Sequence, residues 1–86
     1  MAVVRVRGQL KQLAGGDPEH SIDGATVAEL LREFERVHPA AGGWILDECG
    51  VIRAHINVFV NGEQATAETP VAAADKIDVL PAISGG

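Results

Sequence analysis

The groups in this chain that could perform chemistry are three histidines, one cysteine, twelve side-chain carboxylates and the carboxylate at the end of Gly85-Gly86. His20, His38 and His55 stand far apart without metal-ligand spacing, and they read as surface or loop histidines. A single cysteine allows neither an intramolecular disulfide nor a site built from several thiolates. As a nucleophile Cys49 would need a base or a cationic setting, yet its neighbours are Asp47 and Glu48. An inert thiol is expected. The carboxylates scatter over loops and one helix face, with no pair fixed by helical spacing beside an apolar pocket, so glycosidase-type acid–base chemistry has no support. The dinucleotide and Walker glycine patterns are absent. No metal and no bound cofactor are expected.

The C-terminal stretch LPAISGG is the remaining candidate. Pro81 stiffens the exit from the preceding strand. Ala82 and Ile83 are small or moderately apolar, which suits a groove. Ser84, Gly85 and Gly86 have almost no bulk, and glycine lets a backbone pass a narrow channel. A carboxylate is a poor electrophile, because its charge and resonance repel nucleophiles. Adenylation with ATP would neutralise it and install a leaving group. A sulfur donor could then displace AMP and leave a C-terminal thiocarboxylate, whose sulfur is a strong nucleophile. The domain would serve as a handle and the terminus as the reagent. The competing reading is a frayed end with two chance glycines.

Such a tail needs a folded body to present it. VVRVRGQL alternates, with Val4, Val6 and Leu10 on one face, and reads as a half-buried strand. AGGDP is a turn, and EHSID a short return strand with Ile22 inward, giving an N-terminal hairpin. Thr26-Val-Ala-Glu29 fits a capping box, in which Glu29 reaches back to the Thr26 amide. Val27, Leu30, Leu31, Phe34 and Val37 then form one apolar helix stripe, which Pro39 ends near His38. PAAGG is a loop, and WIL a short apolar patch covering one end of the core, with Trp44 as its large member. INVFV is a strand with Ile56, Val58 and Val60 inward. Asn61-Gly62 is a strong hairpin signal, after which Gln64 to Thr66 pair back. TPVAAAD connects, with room for one helical turn, to KIDVL, the last strand. It carries Ile77 and Val79 inward and is expected to pair parallel with the first.

One amphipathic helix must hide its stripe against a sheet, so the fold class is α+β: a mixed sheet of four to five strands packed on one main helix. Residues 1–80 are expected to form the domain and residues 81–86 a flexible tail. The net charge of −5, two Phe, one Trp and no Tyr exclude the basic patches and stacking rings of nucleic-acid binders. MAVVRVRGQL lacks the uninterrupted apolar core of a signal peptide, and no apolar run approaches the roughly 20 residues of a membrane span. A small domain without disulfides suits a reducing cytoplasm.

The order of elements resembles the ubiquitin-like β-grasp fold. ILDECGVIRAHINVFVNGE, above all its NVFVNGE hairpin, and the ending DKIDVLPAISGG resemble the MoaD/ThiS/CysO sulfur carriers over nearly the whole chain. The resemblance implies that Gly86 bears an acyl-adenylate and then a thiocarboxylate. It implies that Gly85 threads the channel of an E1-like adenylyltransferase/sulfurtransferase, which uses ATP, and that Pro81, Ala82, Ile83 and Ser84 line the partner's groove. Phe59 belongs either to the docking surface or to packing beneath the Trp44 loop. The chain would then be a protein cosubstrate rather than an enzyme, handing sulfur to a biosynthetic enzyme. The long segment before the hairpin disfavours the thiamin branch, and the Leu-Pro-Ala ending favours a cysteine-type or secondary-metabolite pathway. The alternatives are the small subunit of molybdopterin synthase, a protein modifier joined to lysines through Gly86, and a plain interaction domain with an idle tail.

Overall fold

Ala2, Val4 and Val6 are buried while Val3 and Arg5 between them are half-exposed, and this alternation makes residues Ala2–Val6 the first strand, β1. In the computed structural model, which describes residues 1–81, there follow α1 (Gly8–Leu13), β2 (Glu19–Ile22), α2 (Val27–Val37) and a 3₁₀ turn (Pro39–Ala41). The chain continues with β3 (Ile56–Val60), β4 (Glu63–Gln64) and β5 (Lys76–Pro81). The strands form one sheet in the order β2-β1-β5-β3-β4. β1 and β5 run parallel and every other neighbouring pair is antiparallel. The expected α+β architecture is therefore present, with five strands.

α2 lies against one face of this sheet. Val27, Leu30, Leu31 and Phe34 from the helix meet Val4, Val6, Val58, Ile77 and Val79 from the central strands, all at most 2% exposed. Burying each such side chain contributes about 1.5–3 kcal/mol, so this shared layer is the main source of stability. Thr26 caps the helix, its hydroxyl accepting from the Glu29 N–H at 3.3 Å. The return half of the expected box differs: the Glu29 carboxylate accepts from the Thr26 hydroxyl at 3.3 Å, not from the Thr26 amide. Val37 was expected on the buried stripe but is 48% exposed, because the helix ends there and Pro39 starts a 3₁₀ turn.

Four further expectations are corrected. The first strand stops at Val6, and Gly8–Leu13 is a helix rather than the strand's continuation. Gly8 takes a φ of +61°, which turns the chain out of the sheet and favours glycine. Leu10 and Ala14 are then buried one helical turn apart, with Leu13 packed against the same core. In the WIL patch, Ile45 and Leu46 enter the core, while Trp44 is 38% exposed. The Glu35 Oε2 accepts from both the Ile45 and Leu46 N–H groups at 3.0 Å and anchors the backbone of the two residues that turn inward. After the Asn61-Gly62 turn the returning strand is Glu63–Gln64 rather than Gln64 to Thr66, and the connection before β5 forms turns without a helix. No helix among the described residues is long and apolar enough to cross a membrane.

Candidate functional site: the open sheet face and the end of β5

β5 is the central strand, bonded to β1 on one side and to β3 on the other. Its ladder with β3 runs to the pair Ile56–Pro81, where proline has no N–H to offer a further rung. β5 is thus the middle strand, paired with β1 as far as Val79 and with β3 as far as Pro81. Pro81 belongs to β5. Ala82, Ile83, Ser84, Gly85 and Gly86 lie outside the described residues, so the roles expected for them are not located here.

α2 covers only one face of the sheet. On the other face, the registers place one residue from each strand in a row: Gln64, Phe59, Asp78, Arg5 and Glu19. Arg5 and Asp78 are joined by two charge-assisted hydrogen bonds, Nε to Oδ1 at 2.7 Å and Nη2 to Oδ2 at 2.9 Å. This fork-to-carboxylate geometry is the strongest arrangement available to such a pair. Phe59 is half-exposed beside Asp78, and it is not among the side chains packed on the core cluster. Asn57 and Leu80 form the next pair along β3 and β5, nearer the exit of the tail. The face therefore offers an aromatic ring and a leucine around a pre-paired cation and anion.

The other chemical groups do not converge on this face. His20 on β2 and His38 at the end of α2 lie together, ring centroids 4.5 Å apart, with Phe34 5.4 and 4.9 Å from them. Sequence separation hid this neighbourhood. The Asp17 carbonyl lies 2.8 Å from His20 Nε2, and a carbonyl can only accept, so Nε2 carries the hydrogen. Partial burial, and then the charge His20 would carry, push the His38 pKa down, while Asp17 opposes the shift. Cys49 is exposed on the loop that Asp47 organises, its N–H donating to Asp47 Oδ1 at 2.8 Å. No cluster of three or more His, Cys, Asp or Glu able to hold a metal occurs among the described residues. An open groove of about 550 Å³ runs along β3 past Ile52, Arg53, Ala54, Ala65 and Thr66, with Glu68 as the carboxylate on its wall. The site residue that sequence reading missed is the Arg5–Asp78 pair. Its signal was present, because both positions point outward in strands expected to be parallel neighbours.

A five-stranded mixed sheet crossed on one face by a single main helix, with its central strand running out into the C-terminal segment, is the ubiquitin-like β-grasp architecture. The chain belongs to the ThiS family, whose model matches residues 4–86. It is 38% identical over 66 residues to small archaeal modifier protein 1 of Haloferax volcanii, covering 76% of each chain. The crystal structure of that Haloferax volcanii protein superposes with a TM-score of 0.82 at 32% identity, covering 99% of this chain and 98% of the other. CysO, in the crystal structure of the Amycolatopsis orientalis BexX/CysO complex, is similar at a TM-score of 0.88 and 29% identity over 100% of both chains. The family is one of small ubiquitin-like carrier and modifier proteins rather than catalysts.

Proposed function

We propose that this chain is a sulfur carrier whose Gly86 carboxylate is adenylated and converted to a thiocarboxylate by an E1-like partner enzyme. The observation that carries the reading is the family match, which runs through the terminal glycines to residue 86. In this reading the open face docks the partner through Phe59 and Leu80, and β5 aims residues 82–86 into its channel. ATP is consumed by the partner and leaves as AMP and pyrophosphate. The carrier itself supplies only the acyl group. Similarity to CysO in its complex with BexX supports a partner enzyme of the cysteine-type or secondary-metabolite class.

A second reading is favoured by the likeness to small archaeal modifier protein 1. The same activated Gly86 would be attacked by a lysine amine in place of sulfur, giving an isopeptide. Both readings share the adenylation step. Pyrophosphate release by a ThiS-type adenylyltransferase, measured with this chain and ATP, tests it. Release should require Gly86 and should weaken in Phe59→Glu, while deletion of Gly86 leaves the fold intact. Release that persists without Gly86 would refute the proposal. Target lysines in cells carrying residues 77–86 as the remnant left by trypsin, whose last site in this chain is Lys76, would select the modifier reading, and a stable complex with a larger catalytic chain would select the molybdopterin synthase subunit.

A further inference from the structure

The β3–β4 turn is Asn61-Gly62, and Asn61 is the non-glycine residue with positive φ, at 52°, among the described residues. Its side chain is held at both ends. The Lys76 N–H donates to Asn61 Oδ1 at 3.0 Å, and Asn61 Nδ2 donates to Asp75 Oδ1 at 3.0 Å. The main-chain N–H of Asn61 donates to the Lys76 carbonyl at 2.8 Å. Asp75 in turn accepts from the Ala72 N–H at 2.8 Å through Oδ2, and its carbonyl accepts from the Val3 N–H at 3.0 Å. The turn is thereby latched to the start of β5 and, through it, to β1. The Ala72 N–H and then the Asn61 amide hold the Asp75 carboxyl below its ordinary pKa, so at neutral pH it only accepts.

Asn followed by Gly is also the pair whose backbone nitrogen most readily attacks a side-chain amide, since glycine has no side chain to hinder the approach. We propose that Asn61 is a site of spontaneous covalent modification, with the Asp75–Lys76 latch setting its rate. The Gly62 nitrogen loses its proton to solvent base and attacks Asn61 Cγ. An N–Cγ bond forms, the Cγ–Nδ2 bond breaks, and the amine leaves as ammonia with protons from water. Water then opens the five-membered ring at either carbonyl, giving aspartate or isoaspartate. One water is consumed and one ammonia released, with no oxidant or reductant. Closing the ring requires Cγ to turn toward the Gly62 nitrogen and Nδ2 to leave, which breaks both side-chain bonds of the latch. The product carboxylate then faces Asp75 Oδ1 where a donor stood, and the two acceptors repel. Modification therefore replaces the Asn61–Asp75 bond by a repulsion and weakens the latch at the start of β5, while the main-chain bond from the Asn61 N–H to the Lys76 carbonyl remains.

The test incubates the full chain at mildly alkaline pH, folded in buffer and unfolded in guanidinium chloride. Peptide mapping then follows aspartate and isoaspartate at position 61. The folded chain should convert at least about fivefold more slowly than the unfolded one, the worth of one such hydrogen bond. Asp75→Ala, folded by circular dichroism, should close much of that gap. Equal rates in folded and unfolded wild-type chain overturn the proposal, as does a folded Asp75→Ala chain converting at the wild-type rate. If Asp75→Ala does not fold, the wild-type ratio decides alone.

Discussion

Arg5 and Asp78 face each other across the parallel β1–β5 pair, and the guanidinium grips the carboxylate through bonds of 2.7 and 2.9 Å. Phe59 stands in register beside Asp78 on the neighbouring strand. Charge and ring thus share the middle of the one sheet face that no helix covers. Because both charged side chains reach solvent, the pair adds little to stability and its effect is screened by salt. Asp78→Ala should lower Tm by no more than a few degrees, less at high salt. Asp78→Arg puts like charges side by side on the face proposed to dock the partner. Under the proposed carrier function it should raise the KM of a ThiS-type adenylyltransferase for this chain at least about tenfold. Unchanged KM in a folded Asp78→Arg chain would remove this face from the interaction.

Gly24 precedes α2 where the chain passes very close to the helix. A Cβ at this position would lie 2.6 Å from the backbone Cα and N of Leu30. Backbone cannot step aside as a flexible side chain can. Gly24→Ala should therefore cost about 1–3 kcal/mol or more, read as a lower urea midpoint with an unchanged m-value. Gly62→Ala meets no atom within 4 Å, and its cost should come from its φ of +87° alone.

Glu35 holds the segment after the 3₁₀ turn through the N–H groups of Ile45 and Leu46. Removing a charged acceptor from two amides should cost about 1–3 kcal/mol in Glu35→Ala. Amide exchange at Ile45 and Leu46 should accelerate more than exchange in β1 or β5. Glu35→Gln keeps an oxygen in place and should lose less. Equal losses in the two variants would show that packing, not the carboxylate, holds the segment.

Acid should weaken the fold in two windows. The folded pKa of His38 lies below its ordinary 6.5, so the unfolded chain binds a proton more readily. The stability linked to His38 is full above about pH 6.5 and is lost as pH falls through the lower folded value. Asp47 is held below its ordinary value chiefly by the Val51 N–H, and Asp75 by the Ala72 N–H. Their contribution is full above about pH 4 and is lost as pH falls further. Urea midpoints across pH should show both steps, and His38→Gln should erase only the upper one.

The parts of this fold governed by near neighbours were legible in the sequence. The Thr26 cap, the stripe from Val27 to Phe34, the Asn61-Gly62 turn and the inward valines each follow from spacings of a few residues. What escaped was set across the chain. Glu35 anchors the backbone of Ile45 and Leu46, which go inward while Trp44 stays out, and no local pattern in WIL reveals this. Six residues starting at Gly8 form a helix because Leu10 and Ala14 find the core on that side, whereas alternation favoured a longer strand. His20 and His38 meet only because β2 lies along the end of α2. Arg5 and Asp78 could have been paired from the expected parallel register, since both occupy outward positions.

In the proposed function Gly86 becomes an activated acyl group and then a sulfur donor. Intact-mass measurement of the full chain, incubated with ATP, a ThiS-type adenylyltransferase and sulfide, tests it most directly. The account predicts the mass change of one sulfur for one oxygen, located at Gly86 by fragmentation and absent when Gly86 is deleted. An unchanged mass with a partner that thiolates its own carrier, or sulfur found at Cys49 and not at Gly86, would contradict it.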